Sequence, residues 1–151
     1  MSIVTLLDYG AGNVRSVRNA IRALGFEVRD VAAPEELLTA EKLVFPGVGA
    51  FGSAIGRLQA DGYFEPLRRR LLEGKPFFGI CIGLQVLFEG SEESLGATGL
   101  GIIRGQVRRF PAGALAVPHM GWNGITQRQR SVLFDGYGGE KLYFVHSYRG
   151  V

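Results

Sequence analysis

The chain has 151 residues, of which 46% are hydrophobic and 21% are charged, and its formal net charge is +3 at pH 7. These values predict one soluble globular domain, 1–151, that is long enough to bury a core of its own. No apolar run approaches the ~20 residues that a membrane-spanning helix needs, and the N-terminal residues do not resemble a signal peptide. The single cysteine permits no internal disulfide, so we expect a cytoplasmic protein.

The basic residues are mostly arginines, and they form two short clusters at 68–70 and 108–109. No aromatic residues are interleaved with these arginines, as they are in many nucleic-acid-binding surfaces. We therefore interpret the clusters as solvated faces, and we expect neither a nucleic acid nor a membrane as a partner. An arginine-rich surface also suits contact with another protein.

Short apolar runs alternate with amphipathic stretches along the first 90 residues. Strands are predicted at 3–7, 27–31, 42–45 and 76–80, and helices at 14–24, 34–38, 50–58 and 65–72. This alternation predicts an α/β fold with three layers, in which a mostly parallel, flavodoxin-like sheet carries helices on both faces. The segments Asp8-Tyr9-Gly10 and 46–49 and the residue Cys81 follow the ends of strands. They should therefore meet at one edge of the sheet.

The pattern changes after about residue 100, where glycine and proline turns separate short apolar segments. Strands are predicted there at 101–110, 114–119, 124–128 and 142–148. They predict a small antiparallel addition to the parallel core.

Cys81 lies in the segment Gly79-Ile-Cys-Ile-Gly83, between a predicted strand and the helical stretch 84–88. This order matches the strand–nucleophile–helix elbow, with a thiol in place of the serine. Small residues two positions before and after the nucleophile let the main chain turn sharply. A helix N-terminus at this point would favour the reactive thiolate. The alternative is a buried cysteine of the core.

The segment Pro46-Gly47-Val48-Gly49 is the second candidate element of a site. Glycines let main-chain N–H groups approach a ligand or reverse their direction, and beside a nucleophile such groups can form an oxyanion hole. Considered alone, the segment is better interpreted as an ordinary connection between a strand and a helix.

Three other features carry weaker signals. The segment 10–13 lacks the third glycine of a dinucleotide loop because Arg15 occupies that position, so a tight turn or a partner surface is favoured over NAD binding. Trp122 suits either an interface anchor or burial in the small sheet. His119 and His146 have no metal-ligand spacing, and neither a metal nor a cofactor is expected.

Five segments, taken in order, resemble the glutaminase subunits of imidazole glycerol phosphate synthases. These subunits are triad-type, or class I, glutamine amidotransferases. The segments are 8–13, 46–51, 79–85, 118–123 and 143–148, so the resemblance covers nearly the whole chain. The cysteine elbow indicates a glutamine amidotransferase, and the segments Pro-Gly-Val-Gly and His-Met-Gly-Trp-Asn narrow the match to this subunit.

The resemblance implies that glutamine is hydrolysed to glutamate and ammonia through a thioester on Cys81. The N–H of Ile82 and an N–H from the glycine loop (Gly47–Gly49), at Val48 or Gly49, would form the oxyanion hole. The residues that hold the substrate would be Gly47, Gln85, Ser147 and Tyr148.

The resemblance also implies a heterodimer with a (β/α)8-barrel synthase subunit that receives the ammonia. That partner would form imidazole glycerol phosphate and aminoimidazole carboxamide ribotide in histidine biosynthesis. Asn13, the glycine loop and Trp122 would lie towards the barrel. Activity would be coupled if a ligand in the barrel turned a loop N–H into the oxyanion hole.

The chain departs from the family at its C-terminal side. The general base and its carboxylate belong to a His-Pro-Glu segment about 30 residues beyond the His-Ser-Tyr strand, and the chain ends at Val151. Neither His119 nor His146 precedes Pro-Glu, and a structural role is favoured for His146. We expect a truncated form or fragment that is inactive or weak alone.

Two alternatives to this glutaminase remain open. One is a non-catalytic, flavodoxin-like binding or scaffold module in which Cys81 is structural. The other is a different cysteine hydrolase on the same sheet, acting on a substrate that bears phosphate.

Overall fold

The computed structural model describes residues 2–113 and 115–151. The chain divides into two compact units: the first comprises the residues up to Arg108 together with Gly150–Val151, and the second is Arg109–Arg149. The expectation of a single domain over 1–151 stays a prediction. Within the described residues, no helix combines the length and the apolar content that crossing a bilayer would require.

A parallel sheet of four strands forms the centre of the first unit. Its strands are β1 (Ile3–Leu6), β2 (Glu27–Asp30), β3 (Leu43–Gly47) and β4 (Phe77–Cys81). They lie in the order β2-β1-β3-β4, and every neighbouring pair is parallel. Parallel neighbours need crossover connections, which helices provide. The parallel α/β architecture expected from the alternating pattern is confirmed.

Five helices accompany this sheet. They are α1 (Val14–Ala23), α2 (Glu36–Thr39), α3 (Phe51–Ala60), α4 (Phe64–Leu72) and α5 (Ile82–Gln85). The first four connect successive strands, and α5 follows β4 directly. The helical stretch expected at 84–88 therefore begins earlier and is only one turn long, because α5 starts immediately after Cys81.

The amphipathic pattern of α1 explains its place on the sheet. Val14 and Ile21 are buried against Val4 and Leu6 of β1. Each such side chain contributes about 1.5–3 kcal/mol on burial. On the more exposed side of α1, Arg18 forms an ion pair with Asp30, the last residue of β2. Helical periodicity alone was sufficient to predict this element.

Arg70 on α4 contradicts the interpretation of 68–70 as a solvated cluster. Its side chain is fully buried, whereas its neighbour Arg69 is exposed. The Arg70 guanidinium donates to the main-chain carbonyls of Leu37 (2.9 Å), Ala40 (2.6 Å) and Pro76 (2.8 Å). It thereby connects α4 to the C-terminal end of α2 and to the residue before β4.

The remainder of the first unit is less regular. Strand β5 (Gly90–Ser91) pairs in parallel with β6 (Gln106–Arg109). The strand expected at 101–110 is therefore confirmed only over its last residues. The main-chain N–H groups of Ile102 and Ile103 donate to the carbonyl of Leu87 instead of joining a sheet.

The second unit contains an antiparallel pair, β7 (His119–Asn123) and β8 (Leu142–His146), and a short 3-10 helix at Val132–Phe134. The short strand β9 (Tyr148–Gly150) follows β8. The antiparallel addition is confirmed, but the described residues 115–118 and 124–128 are not in strands, and only His119 of the strand expected at 114–119 belongs to one. Ala114 lies outside the described residues.

The position of β7 has a local cause. Pro118 has no N–H to donate, and β7 begins at the residue after it. Strand β7 ends at Asn123 because that residue pairs with Leu142, the first residue of β8. The segment 124–128 therefore has no β8 residue opposite it.

Candidate active site

Cys81 occupies a sharp turn between β4 and α5. Its φ is +56° and its ψ is −112°, and among the described residues it is the only one other than glycine with a positive φ. Such a conformation is strained for a residue with a Cβ atom, and strained residues of this kind cluster at functional sites. The sharp strand–turn–helix geometry expected at Cys81 is confirmed, and the role of Cys81 as a nucleophile stays a prediction.

The two glycines of the elbow are required by close approaches of the main chain. A Cβ atom on Gly79 would lie 2.5 Å from the carbonyl oxygen of Gly83. A Cβ atom on Gly83 would overlap the carbonyl oxygen of Phe45 in β3. Both neighbours are main-chain atoms, which cannot rotate away as a side chain can. The spacing of these glycines around Cys81 therefore encodes the turn itself.

The environment of the sulfur raises the pKa of Cys81 above its ordinary value. Partial burial of the thiol is the largest cause, and the negative charge of Glu93 adds to it, while the N–H of Ile82 acts in the opposite direction. The residue as a whole is nevertheless exposed. The expectation that a helix N-terminus favours the thiolate is wrong in its net effect, because α5 has only four residues and one N–H does not outweigh desolvation.

This raised pKa predicts the pH dependence of Cys81 alkylation. A thiol with a raised pKa stays protonated at neutral pH, so iodoacetamide should react slowly at pH 7. The rate should rise about tenfold for each pH unit and continue to rise beyond the ordinary thiol pKa of about 8.5. Intact-mass kinetics across this range measure the profile, with glutathione as the reference thiol. If the alkylation rate of Cys81 stopped rising at a lower pH than that of glutathione, the raised pKa of Cys81 would be contradicted.

The glycine loop lies beside the nucleophile. Gly47, the last residue of β3, is in register with Cys81, the last residue of β4. The loop after β1 also reaches this edge, since a Cβ atom on Gly12 would lie 3.5 Å from the Cα of Gly47. The convergence expected at the carboxyl ends of the strands is confirmed.

The segment after β1 is a tight turn, as one of the two interpretations predicted. The N–H of Gly10 donates to Oδ1 of Asp8 over 2.8 Å. Asn13 accepts a hydrogen bond from the N–H of Ser16 and caps α1. This capping is a structural role, and contact of Asn13 with a partner stays a prediction.

Tyr9 and Glu93 are residues of this site that sequence reasoning missed. The hydroxyl of Tyr9 donates to the carbonyl oxygen of Val48 over 2.7 Å. Oε2 of Glu93 accepts a hydrogen bond from the N–H of Phe51 over 2.8 Å. Because Ala50 cannot cap α3 with its side chain, an acceptor from elsewhere in the chain could have been anticipated, but not which one.

The remaining predicted site residues lie in two places. Gln85 is the last residue of α5, one turn beyond Cys81 in the first unit. Ser147 and Tyr148 belong to the second unit, where the carbonyl of Ser147 accepts a hydrogen bond from the N–H of Phe110. Their roles in holding a substrate stay predictions.

The two histidines of the second unit form a hydrogen-bonded chain. Nδ1 of His146 donates to the carbonyl of Tyr148 over 2.9 Å, which leaves Nε2 to accept from Nδ1 of His119 over 3.2 Å. Nε2 of His119 then accepts from the amide of Asn123 over 2.7 Å. Each ring nitrogen thus has a partner, which favours the structural role expected for His146. Across the described residues, no group of three or more His, Cys, Asp or Glu side chains is arranged to hold a metal ion.

Trp122 is 65% exposed, so the alternative of burial in the small sheet does not hold. Its ring meets that of Tyr143 edge to face, with centroids 5.4 Å apart. Met120 and Val145, which pair across β7 and β8, are also more than half exposed. This apolar face suits an interface, although contact with a partner stays a prediction.

Comparison with known proteins agrees with this geometry. The family model described as "Glutamine amidotransferase class-I" matches residues 5–150. The chain belongs to the class-I glutamine amidotransferase family. A crystal structure of a glutamine amidotransferase shares the fold, with a TM-score of 0.72 and 22% identity over 96% of this chain and 71% of that one.

The most informative relatives within this family are imidazole glycerol phosphate synthases, as the resemblance implied. The chain is 48% identical to imidazole glycerol phosphate synthase subunit HisH of Methanothermobacter thermautotrophicus, over 97% of this chain and 72% of the relative. It is 52% identical to the chloroplastic imidazole glycerol phosphate synthase hisHF of Arabidopsis thaliana, over 99% of this chain and 26% of that protein. The chain thus spans about a quarter of the plant relative's length.

Proposed function

We propose that this chain is the glutaminase part of an imidazole glycerol phosphate synthase, with Cys81 as the nucleophile. The observation that carries the proposal is the position of Cys81, which lies exposed at a strained strand–helix turn with a glycine loop in register beside it. The identity to imidazole glycerol phosphate synthase subunits supports the choice of reaction. The lone unpaired thiol also suits a reducing compartment such as the cytoplasm.

The reaction begins when the thiolate of Cys81 attacks the side-chain amide carbon of glutamine. The amide oxygen becomes an oxyanion, which the N–H of Ile82 and an N–H at Val48 or Gly49 stabilise. Each such donor is worth about 2.7–4 kcal/mol in the transition state. The tetrahedral intermediate then collapses, the amide nitrogen takes up a proton and leaves as ammonia, and a thioester remains. Water cleaves the thioester to glutamate and restores the thiol.

In the family that the chain resembles, the general base belongs to a His-Pro-Glu segment, and these 151 residues contain no such segment. The raised pKa of Cys81 makes such a base more important, because the thiol must lose its proton before it can attack. We therefore propose that the chain alone turns over glutamine weakly or not at all. Single-step labelling by a reactive analogue needs less assistance than turnover and is the appropriate measurement.

The ammonia released at Cys81 would pass to a (β/α)8-barrel synthase subunit. Gln85, Gly47 and the main chain near Ser147 and Tyr148 would hold glutamine. Asn13 and the exposed Trp122 would face the barrel. The plant relative is named an imidazole glycerol phosphate synthase hisHF and is about four times as long as the part that matches this chain, which supports this pairing.

Labelling with a chloroketone analogue of glutamine tests the proposed function. The sulfur displaces chloride from the analogue, a carbon–sulfur bond forms, and the thiol proton goes to solvent. We expect a single adduct on Cys81, protection by glutamine but not by asparagine, and no adduct in Cys81→Ser. If iodoacetamide labels the folded chain and the analogue does not, the chain is a scaffold module or a different cysteine hydrolase.

A further inference from the structure

Asn123 and Gly124 form the only asparagine–glycine pair in the sequence. The other two asparagines, Asn13 and Asn19, precede valine and alanine. In an asparagine–glycine pair the main-chain nitrogen of the glycine can attack the side-chain carbonyl carbon of the asparagine. Glycine has no Cβ atom to crowd the five-membered ring that forms. The sequence therefore contains one asparagine that is chemically disposed to lose its amide nitrogen.

The structure leaves this pair accessible at the end of β7. Asn123 is the last residue of the strand, and both Asn123 and Gly124 are exposed. A Cβ atom on Gly124 would meet nothing within 4 Å, so no neighbouring group crowds the attacking residue. The pairing of β7 with β8 ends at Asn123 and Leu142, so fraying here opens one pair of residues and leaves the rest of the ladder in place. Water, which completes the reaction, can therefore reach the pair.

A chain of hydrogen bonds holds the amide of Asn123 in place. Its Nδ2 donates to Nε2 of His119 over 2.7 Å. Nδ1 of His119 in turn donates to Nε2 of His146 over 3.2 Å. The His119 ring also stacks on Phe144, with centroids 4.7 Å apart. The imidazole that receives the amide is thus fixed by two further contacts. Because Nδ2 is the atom that leaves in deamidation, its hydrogen bond to His119 must break first.

We propose that Asn123 is a site of spontaneous deamidation and that His119 is a positioning residue that slows the reaction. The nitrogen of Gly124 attacks Cγ of Asn123 and gives up its proton. The bond from Cγ to Nδ2 breaks, and Nδ2 takes up a proton and leaves as ammonia. Water then opens the cyclic imide at either carbonyl, which gives aspartate or isoaspartate. The reaction uses no group of the site at Cys81 and is independent of the proposed function.

The two products change the strand next to Trp122. Both introduce a negative charge where a neutral amide stood, and isoaspartate adds one carbon atom to the main chain. Because side chains alternate along a strand, Asn123 and Trp122 lie on opposite faces, so a partner seated on the face of Trp122 would leave Asn123 uncovered. Trp122 is the only tryptophan, and its ring contacts that of Tyr143 edge to face. Its fluorescence therefore reports changes at the end of β7.

Incubation of the folded chain at mildly alkaline pH, followed by peptide mapping, tests the site. We expect Asn123 to be converted to a mixture of aspartate and isoaspartate, whereas Asn13 and Asn19 keep their amides. The mixture is diagnostic, because direct hydrolysis of the amide by water would give aspartate alone. Samples unfolded in urea measure the rate of the same reaction without the fold, and this rate should be the higher one.

His119→Phe tests the role of the histidine. Phenylalanine keeps a ring to stack on Phe144 and removes the acceptor for the Asn123 amide. Conversion in this variant should be about threefold to tenfold faster than in the unchanged chain, the range expected for one neutral hydrogen bond. His146→Phe should accelerate the conversion less, because it removes the partner of His119 and leaves the acceptor for the amide in place.

Two glycine variants are matched controls. Gly124→Ala adds a Cβ atom to the attacking residue, and Gly113→Ala adds one elsewhere in the second unit. Both positions have nothing within 4 Å of the added atom, so both variants should fold. We expect Gly124→Ala to lose nearly all of the conversion at Asn123 and Gly113→Ala to retain the unchanged rate.

Three results would overturn the proposal. The site is wrong if Asn123 keeps its amide in the folded chain while the urea-unfolded chain converts it, or if Gly124→Ala reacts as fast as the unchanged chain. The role of His119 is wrong if His119→Phe reacts at the unchanged rate or more slowly. Should His119→Phe lose its fold in a thermal melt followed by Trp122 fluorescence, His146→Phe decides, and an unchanged rate in that variant rejects the role of the hydrogen-bonded chain.

Discussion

Replacing Gly83 with alanine is expected to lower the free energy of unfolding by about 4 kcal/mol or more, which is exceptional for a single methyl group. The new Cβ atom would overlap the carbonyl oxygen of Phe45. Phe45 is fully buried at the centre of β3, a strand with neighbours on both sides. The oxygen cannot move without disturbing the sheet, so the strain cannot be relieved by a side-chain rotation.

The same substitution is expected to remove the reactivity of Cys81 towards the chloroketone analogue. Relief of the overlap requires α5 to move away from β3, and this movement would displace the N–H of Ile82 from the sulfur. Urea unfolding measured by circular dichroism reports the stability, and intact-mass kinetics report the labelling.

Gly56→Ala is the matched control for this prediction. Gly56 lies on the exposed side of α3, and a Cβ atom there meets nothing within 4 Å. Alanine should stabilise the helix by about 0.5–1 kcal/mol and leave Cys81 labelling unchanged. If Gly83→Ala unfolds at the same urea concentration as the unchanged chain, the close approach of the two segments does not exist in solution.

The parallel core and the elbow could be predicted because their signals are local. Val14 and Ile21 show the helical period of α1, and the apolar run before Cys81 shows β4. The glycines at 79 and 83 are read directly as a turn, since their spacing is itself the cause of the geometry. Each of these elements is specified within about ten residues of sequence, where periodicity and turn chemistry operate.

The long-range hydrogen bonds and the electrostatics of the site could not be predicted, because they depend on segments that are distant in the sequence. The hydrogen bond from Tyr9 to Val48 joins residues 39 positions apart, and that from Phe51 to Glu93 joins residues 42 apart. The pKa of Cys81 depends on opposing contributions whose balance depends on three-dimensional distances. The limits of the short strands after residue 100 were predicted poorly for the same reason, since pairing and not local sequence sets those limits.

Arg70 is the clearest case of a residue whose role reverses between sequence and structure. In the sequence it is the third of three adjacent arginines, which indicated a solvated face. In the structure its side chain is fully buried and makes four hydrogen bonds to main-chain carbonyls, and its Nε has no partner. Removing the guanidinium would leave buried carbonyl oxygens without a donor, and each unsatisfied buried group costs about 1–3 kcal/mol.

Arg70→Met is therefore expected to lower the free energy of unfolding by about 3–5 kcal/mol, because it leaves more than one buried acceptor unsatisfied. Methionine fills part of the volume but leaves the carbonyls of Leu37, Ala40 and Pro76 buried without this donor. Arg70→Lys keeps the charge and should lose less, about 1–3 kcal/mol, because one ammonium group cannot reach all the carbonyls that a guanidinium reaches.

The adjacent Arg69 provides the matched control for the Arg70 variants. Arg69 has an exposed side chain and forms a 3.0 Å ion pair with Glu73 on the surface. Arg69→Met should change the free energy of unfolding by about 0.5 kcal/mol or less. In urea unfolding we expect the loss in free energy of unfolding to increase in the order Arg69→Met, Arg70→Lys and Arg70→Met. Equal losses for Arg69→Met and Arg70→Met would mean that the guanidinium of Arg70 is solvated, and that α2 and α4 are held together by apolar contacts alone.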